Sequence, residues 1–458
     1  MQLIYKVNDK PKFGQLLVFS LQQLLAILAA TIAVPAIVGN GMSQSAALFG
    51  AGVGTLVYLL FTKFKSPVFL GSSFAFLGSM FTAFAGAVSA QVGYLGIIIG
   101  AAFAGLVYVI IALIVKFAGV KWINKLMPAV VIGPTVAIIG LSLAPNAIKD
   151  AVGASAGYVN FDDGLSAYVM NGKGWIALIC ALVTMITVMV CSVYGKKMTK
   201  LIPFIIGIVA GYVVAVIFTL IGNSTGNDML KIIDFSAFGN MKWIPDFTFV
   251  TALKGVKEID ASYITTIAAA YVPVAFVVFA EHIADHKNLS SIIGSELLED
   301  PGLHRTLLGD GVGSMIGAFF GGCPNTTYGE SVGCVAITGN ASVVTILTTA
   351  ILAIVASFIA PFVTFLATIP GCVMGGVCIT LYGFIAVSGL KMIQKVDLGD
   401  NSNLFVVSAI LITGIGSFAL NFVIGGLSIT LTEVACALIL GIIVNLILKK
   451  GRLNKDEG

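Results

Sequence analysis

Fourteen apolar runs follow one another along this chain, near 15–38, 44–62, 67–86, 92–117, 127–144, 174–195, 201–222, 262–283, 303–321, 323–339, 342–369, 371–392, 403–421 and 428–448. A helix needs about 20 apolar residues to cross a bilayer, and most of these runs are near that length. With 58% hydrophobic and only 10% charged residues, the chain lies far from soluble domains, where about a quarter are charged. The fold class expected is an all-α polytopic membrane protein of fourteen spans. The runs at 67–86 and 323–339 count as spans only because their flanks require a crossing.

An even number of spans leaves both termini on one side. Lys6, Lys10, Lys12, Lys63, Lys65, Lys116, Lys121, Lys125, Lys196, Lys197 and Lys200 fall on one face, followed by Lys287, Arg305, Lys391, Lys395 and the basic C-terminus. The opposite short loops near 39–43, 87–91 and 422–427 carry no Lys or Arg. By the positive-inside rule the Lys-rich face is cytoplasmic, which implies a multi-pass cytoplasmic-membrane protein with both termini inside. A net charge of +4 spent on such clusters implies no nucleic-acid partner. The seven cysteines sit in or beside apolar runs without metal-ligand spacing and read as small buried hydrophobes. The first apolar run is too long for a signal-peptide core, so no cleavage is expected. The longer loops, 145–173 with Asp162, Asp163 and Gly164, and 223–261, read as connections. Trp243 and Phe247 are candidates for the interface.

The loop near 223–261 divides the chain into two seven-span halves, and an odd number of spans per half inverts the second relative to the first. Each half has a short, interrupted third span: PVFLGSSFAFLG at 67–78 and CPNTTYGESVG at 323–333. Paired interruptions of this kind point to a binding site between inverted repeats, because broken helices free backbone amides toward a cavity. Amides near Ser72 to Phe74 and Tyr328 to Glu330 are therefore expected to face a ligand.

Acids at membrane depth are costly and by default mark a substrate or proton site. Glu281 and Glu330 are the foremost, and a structural carboxylate satisfied by a neighbouring span is the alternative for each. Asp285 lies one helical turn from Glu281 on the same face, either sharing a proton with it or ending the helix. Asp310, between glycines, is divided between function and a structural hydrogen bond. Glu433 reads as a capped or interfacial carboxylate. His282 and His286 have i,i+4 spacing, but without the Glu of HExxH a metal site is weak, and no metal or other cofactor is expected. Two carboxylates with free amides suit a small, planar, largely neutral ligand that alternates N–H and C=O groups. An inorganic anion would be repelled by two carboxylates and would prefer Arg, of which the chain has only Arg305 and Arg452.

The strings AEHIADH at 280–286, DPGLHRTLLGDGVG at 300–313, GCPNTTYGES at 322–331 and LGSSFAF at 70–76 resemble the uracil-permease branch of the nucleobase-ascorbate (nucleobase-cation symporter) family over nearly the whole chain. NTTYGE is similar to that branch, whereas xanthine and urate members resemble a QNxG-type pattern there. The resemblance implies two inverted seven-span repeats with short strands in spans 3 and 10. It also implies a core domain (1–126 and 262–369), a gate domain (127–261 and 370–458) and a homodimer in membrane lipid. Carried over residue by residue, it implies that Glu281 and Glu330 hydrogen-bond uracil, with the amides of Phe74 and Gly329 also in contact. Ala30, Tyr328 and Tyr382 would pack around the base. The function implied is proton-coupled uracil import by alternating access, with Glu330, Asp285, Asp310 and His282 as candidates for the proton. The family pattern can carry a His where this chain has Asp285, and a Gln-His pair where it has Gln22-Gln23, so the proton pathway is the open part. Alternatives are a xanthine/urate-type permease, an anion transporter on the same fold, and a membrane metalloenzyme, which would need three ligands. The chain is expected not to be an enzyme.

Overall fold

The computed structural model describes residues 3–119, 122, 126–153, 157–160, 166–196, 199, 202–424 and 427–453. Lys121, Lys125, Lys197, Lys200, Lys455, Asp162, Asp163 and Gly164 lie outside them. The fold is mostly helical. Its first part runs α1 (Phe13–Val38), α2 (Gln44–Phe61), β1 (Leu70–Ser72), α3 (Leu77–Ala85) and α4 (Ala90–Ala118). Next come α5 (Ala129–Ser142), α6 (Ala144–Val152), a hairpin of β2 (Gly157–Asn160) and β3 (Ser166–Val169), α7 (Gly172–Tyr194) and α8 (Pro203–Thr225). The second part has α9 (Ala261–Ile293), α10 (Leu303–Gly321), β4 (Asn325–Thr327), α11 (Gly329–Thr338) and α12 (Val343–Ser357). The chain ends with α13 (Ala360–Ala367), α14 (Gly371–Ile393), α15 (Asn401–Ile415), β5 (Leu420–Ile424), β6 (Leu427–Leu431) and α16 (Glu433–Leu453).

Among the described residues, 8 helices are long and apolar enough to cross a membrane, or up to 9 if a bent pair is one span. The bent pair is α12 and α13, which meet at 82°, so the run at 342–369 is two helices where one span was expected; Pro361 sits in the first turn of α13, where a missing N–H costs nothing. The runs at 403–421 and 428–448 are also reshaped. The end of the first and the start of the second pair as an antiparallel hairpin, Leu420 opposite Leu431 through Ile424 opposite Leu427. The expected 145–173 loop instead begins with the helix α6 and continues as the β2–β3 hairpin. Trp243 is exposed, but Phe247 packs edge-on against Phe49 at 4.9 Å, so the aromatic cluster of α2 and α10 holds it rather than the interface.

Two groups of helices pack internally. In one, α10 lies against α2 and α4, α12 against α1 and α2, and α9 against α4; in the other, α14 packs on α5, α6, α7, and α15 on α5 and α16. Close approach in the first group depends on small residues. A Cβ at Gly50 of α2 would stand 2.6 Å from the Gly317 carbonyl, and one at Gly321 2.6 Å from the Ala46 carbonyl. Small residues at such crossings let backbones touch where water supplies no driving force.

Between these helices β1 and β4 pair antiparallel, Leu70 opposite Thr327, Gly71 opposite Thr326 and Ser72 opposite Asn325. A two-stranded ribbon in a bilayer leaves edges unpaired, and each buried polar group without a partner is costly. Side chains cover them. Thr55 Oγ1 accepts from the Leu70 amide at 2.9 Å and donates to its carbonyl at 3.1 Å, and Asn325 Nδ2 donates to the Gly50 carbonyl at 3.1 Å. The buried triplet Asn325-Thr326-Thr327 is thus a strand.

Candidate functional site

The two interrupted segments cross at the ribbon, and each continues into a helix start: Phe74 after β1 and Gly329 after β4. The expected set of free amides is narrower in the structure. The Ser73 amide donates to the Pro324 carbonyl at 2.9 Å and the Tyr328 amide to the Phe69 carbonyl at 3.1 Å, so strand pairing consumes both. The helix-start amides at Gly329 and Glu330 open α11, whose first N–H groups have no partner within the helix.

Beside these starts lies a cavity of about 320 Å³. Glu281 and Asp285 of α9 line it together with Phe74, Tyr328, Gly329 and Glu330. The opposite wall comes from the second helix group, through Val136, Phe204, Leu381, Phe384 and Ile385. One wall therefore carries acids and helix-start amides, and the other is largely apolar. Asp285 is anchored, because Thr327 Oγ1 donates to its Oδ2 at 2.9 Å. Gly71 leaves space for the Tyr328 ring, since a Cβ there would stand 2.7 Å from its hydroxyl. That hydroxyl donates to the Ser72 carbonyl at 2.8 Å, fixing the ring against β1.

The remaining expected residues lie off the cavity. Ala30 is buried inside α1. Tyr382 is buried behind the wall, its ring edge-on to Phe74 at 5.6 Å and 80°, so it supports an aromatic that does face the space. His282 and Asp310 are fully buried as a pair. His282 Nδ1 meets Asp310 Oδ2 at 2.7 Å and Nε2 meets Thr306 Oγ1 at 3.0 Å. Thr306 Oγ1 also lies 3.1 Å from the Leu303 carbonyl, so both ring nitrogens of His282 have a polar partner. His286 is occupied too, by the His282 carbonyl at 2.8 Å and the Tyr58 hydroxyl at 2.7 Å. These histidines are satisfied by neighbours on the protein rather than presented as a two-ligand face.

Several contributors were not expected from the sequence. Thr327 orients Asp285, and Ser331 ties the first turn of α11 to both neighbours: it accepts from the Phe69 amide at 3.0 Å and from Gln23 Nε2. Asn288 and Ser388 add polar atoms to the lining. Thr327 and Ser331 stand within NTTYGES, so the motif contained them, but only strand register and helix start tell which way each side chain turns.

A family model described as "Permease family" matches residues 14–423. The uracil permease of Bacillus caldolyticus is 39% identical over 450 residues, 97% of this chain and 94% of that protein. The chain belongs to the permease family of the uracil permeases. The uracil permease of Escherichia coli strain K12 is 33% identical over 445 residues, covering 97% and 93% of the two chains. Among solved structures, the transmembrane domain of the cyanobacterial bicarbonate transporter BicA superposes on this permease with a TM-score of 0.63 at 16% identity, covering 96% of this chain and 100% of that one. The murine Slc26a9 anion transporter in its inward-facing state does so at 0.63 and 12% identity, over 97% and 69%. At such identities the likeness is one of fold. Family and apolar helices together make this a multi-pass membrane transporter.

Proposed function

We propose that this permease imports uracil together with protons across the cytoplasmic membrane, by alternating access around the cavity of Glu281 and Glu330. One observation carries the reading: the two acids and the start of α11 line a single cavity between the two helix groups. Uracil alternates N–H and C=O groups around a flat ring. Carboxylates accept from the N–H groups, and a helix-start amide at Gly329 donates to a carbonyl. The aromatic ring of Phe74, backed by Tyr382, packs on the base face, with Tyr328 beside it in the lining and Ala30 supporting the wall from within α1. The relatives named uracil permease favour this substrate.

The proton belongs to the same chemistry. A protonated Glu330 gives the second donor that a uracil carbonyl needs, while Glu281 accepts. Asp285, held by Thr327, and the buried His282–Asp310 pair, in contact at 2.7 Å, are the further carriers. The architecture proposed is fourteen spans in two inverted repeats, the ribbon of β1 and β4 marking equivalent points. The core is residues 1–126 and 262–369, and the gate 127–261 and 370–458. In support, the helices within 13–118 and 261–357 pack on one another, as do those within 129–225 and 371–453, although the segment 247–255 packs on α2, α4 and α10 of the proposed core. Both termini are placed in the cytoplasm by the Lys distribution, and the permease is placed in lipid as a homodimer.

Uptake of radiolabelled uracil into proteoliposomes with an imposed pH gradient tests substrate and coupling together. Accumulation that collapses with the gradient is expected. Uptake insensitive to the gradient removes the coupling, and competition by xanthine without uracil uptake moves the permease to the purine branch.

A further inference from the structure

A second chamber, of about 120 Å³, lies beyond Phe74 from the acid-lined cavity. Phe74 lines both spaces, and Tyr382 backs it edge-on, so an aromatic pair stands between them. The two chambers are displaced along the same helices. On α9 the acid cavity takes Glu281 to Asn288, whereas the second chamber takes Val274. On α5 the acid cavity takes Val136, and the second chamber takes Ile139 and Ser142. Both also lie between the same helix groups, with α3 and α9 on one side and α5 and the start of α16 on the other. The two chambers therefore lie at different depths of one boundary between the helix groups.

The lining of this chamber is chemically specific. Its two serines are committed, Ser79 to the Ala270 carbonyl at 2.8 Å and Ser142 to the Ile139 carbonyl at 3.2 Å. Asn146 and Glu433 are half-buried, line the space, and make no side-chain hydrogen bond among the described residues. They supply a carboxylate acceptor and a carboxamide that both donates and accepts, beside the rings of Phe74 and Phe81. A flat apolar face with a few converging polar groups is how proteins hold small heterocycles.

We propose that this chamber is a loading subsite for the same class of ligand, a planar nucleobase. There Glu433 and Asn146 take its N–H and C=O edge before it passes Phe74 to reach Glu281 and Glu330. The inference rests on the reading of the permease as a uracil carrier and adds a second binding station to it. By the Lys-based orientation this end faces outward, so the subsite governs capture from outside rather than affinity in the acid cavity.

The test uses the full chain. Glu433→Gln and Asn146→Ala are expected to raise the KM of uracil uptake into proteoliposomes about tenfold, the worth of one hydrogen bond to a charged group. Equilibrium uracil binding to the purified protein should change less than about twofold, since the acid cavity is untouched. Independently, Asn146→Cys is to be labelled with a membrane-impermeant thiol reagent, against a background of native cysteines that are all buried. Uracil should slow that labelling even when Glu281→Ala has removed the acid site. An unchanged KM in both variants, or loss of protection in the Glu281→Ala background, overturns the subsite. Absence of uracil uptake by the unaltered permease overturns the uracil reading itself, so the two failures are distinguishable.

Discussion

At the scale of single residues, the two acids of the cavity are expected to do different work. Glu281 sits on a long unbroken helix whose start is fixed by Asp260, which accepts from the Tyr263 amide at 2.7 Å. In the proposed mode it is the acceptor for a ring N–H. Glu281→Ala leaves a ring N–H of bound uracil unpaired in a dry site, at a cost of about 3 kcal/mol, more than a hundredfold in affinity. Titration calorimetry on the purified variant checks this, and near-normal binding removes Glu281 from the site. Glu330 opens α11, where a side chain can meet the ligand beside the helix-start amides. If substrate binding takes up a proton there, linkage requires uracil to bind more tightly as pH falls, and the proton to leave when the site opens to the cytoplasm. Glu330→Gln keeps a donor without the titration. It should bind uracil with little pH dependence and exchange it across the membrane, yet fail to concentrate it. A variant that still accumulates uracil under a proton gradient shifts the coupling to Asp285 or to the His282–Asp310 pair.

Elements depend on how the ribbon's edges are satisfied. Thr55 Oγ1 accepts from the Leu70 amide, and its one proton is shared between the Ala51 and Leu70 carbonyls, 2.8 and 3.1 Å away. Thr55→Val preserves shape and removes the hydroxyl, leaving the Leu70 amide buried without a partner. The loss is about 1 to 3 kcal/mol, read as a lower thermal midpoint, and bound uracil should restore part of it by mass action. Unaltered stability together with unaltered binding would mean that the strand finds another acceptor. NTTYGES and LGSSFAF showed in the sequence that both third spans are interrupted. The antiparallel register was not legible there, because neither segment of three residues has an alternation long enough to set it. The 82° bend between α12 and α13 had one local signal, Pro361, but the apolar run continues through it and reads as one span.

For the whole molecule, alternating access requires the two helix groups to move against each other. Gly78 of α3 and Thr432 at the start of α16 face across that boundary, with a Cβ at Gly78 falling 3.9 Å from Thr432 Cγ2. Cysteines at both positions would be side-chain neighbours across the boundary and so are a pair to cross-link by oxidation. Oxidation of the Gly78→Cys, Thr432→Cys double variant should stop uracil uptake, with equilibrium binding retained and transport restored by reductant. Full transport by the oxidised, fully cross-linked protein would mean that this boundary does not open.

The sequence by itself determined the solvent this protein lives in, the position of most helices, the two interrupted segments and the acids beside them. Each of these follows from the price of a polar group in hydrocarbon, which is paid locally and so is written locally. It placed Glu281, Asp285, Glu330, Phe74, Tyr328 and Gly329 as candidates, and all six line one cavity. Only the tertiary structure decided the rest: that strand pairing consumes the Ser73 and Tyr328 amides, that Tyr382 and Ala30 stand behind the wall, and that His282 turns to Asp310. These outcomes depend on contacts between residues as far apart as Ser72 and Asn325. A side chain's direction there is set by the packing of helices whose apolar surfaces look alike along the chain, and hydropathy carries no record of which surface meets which.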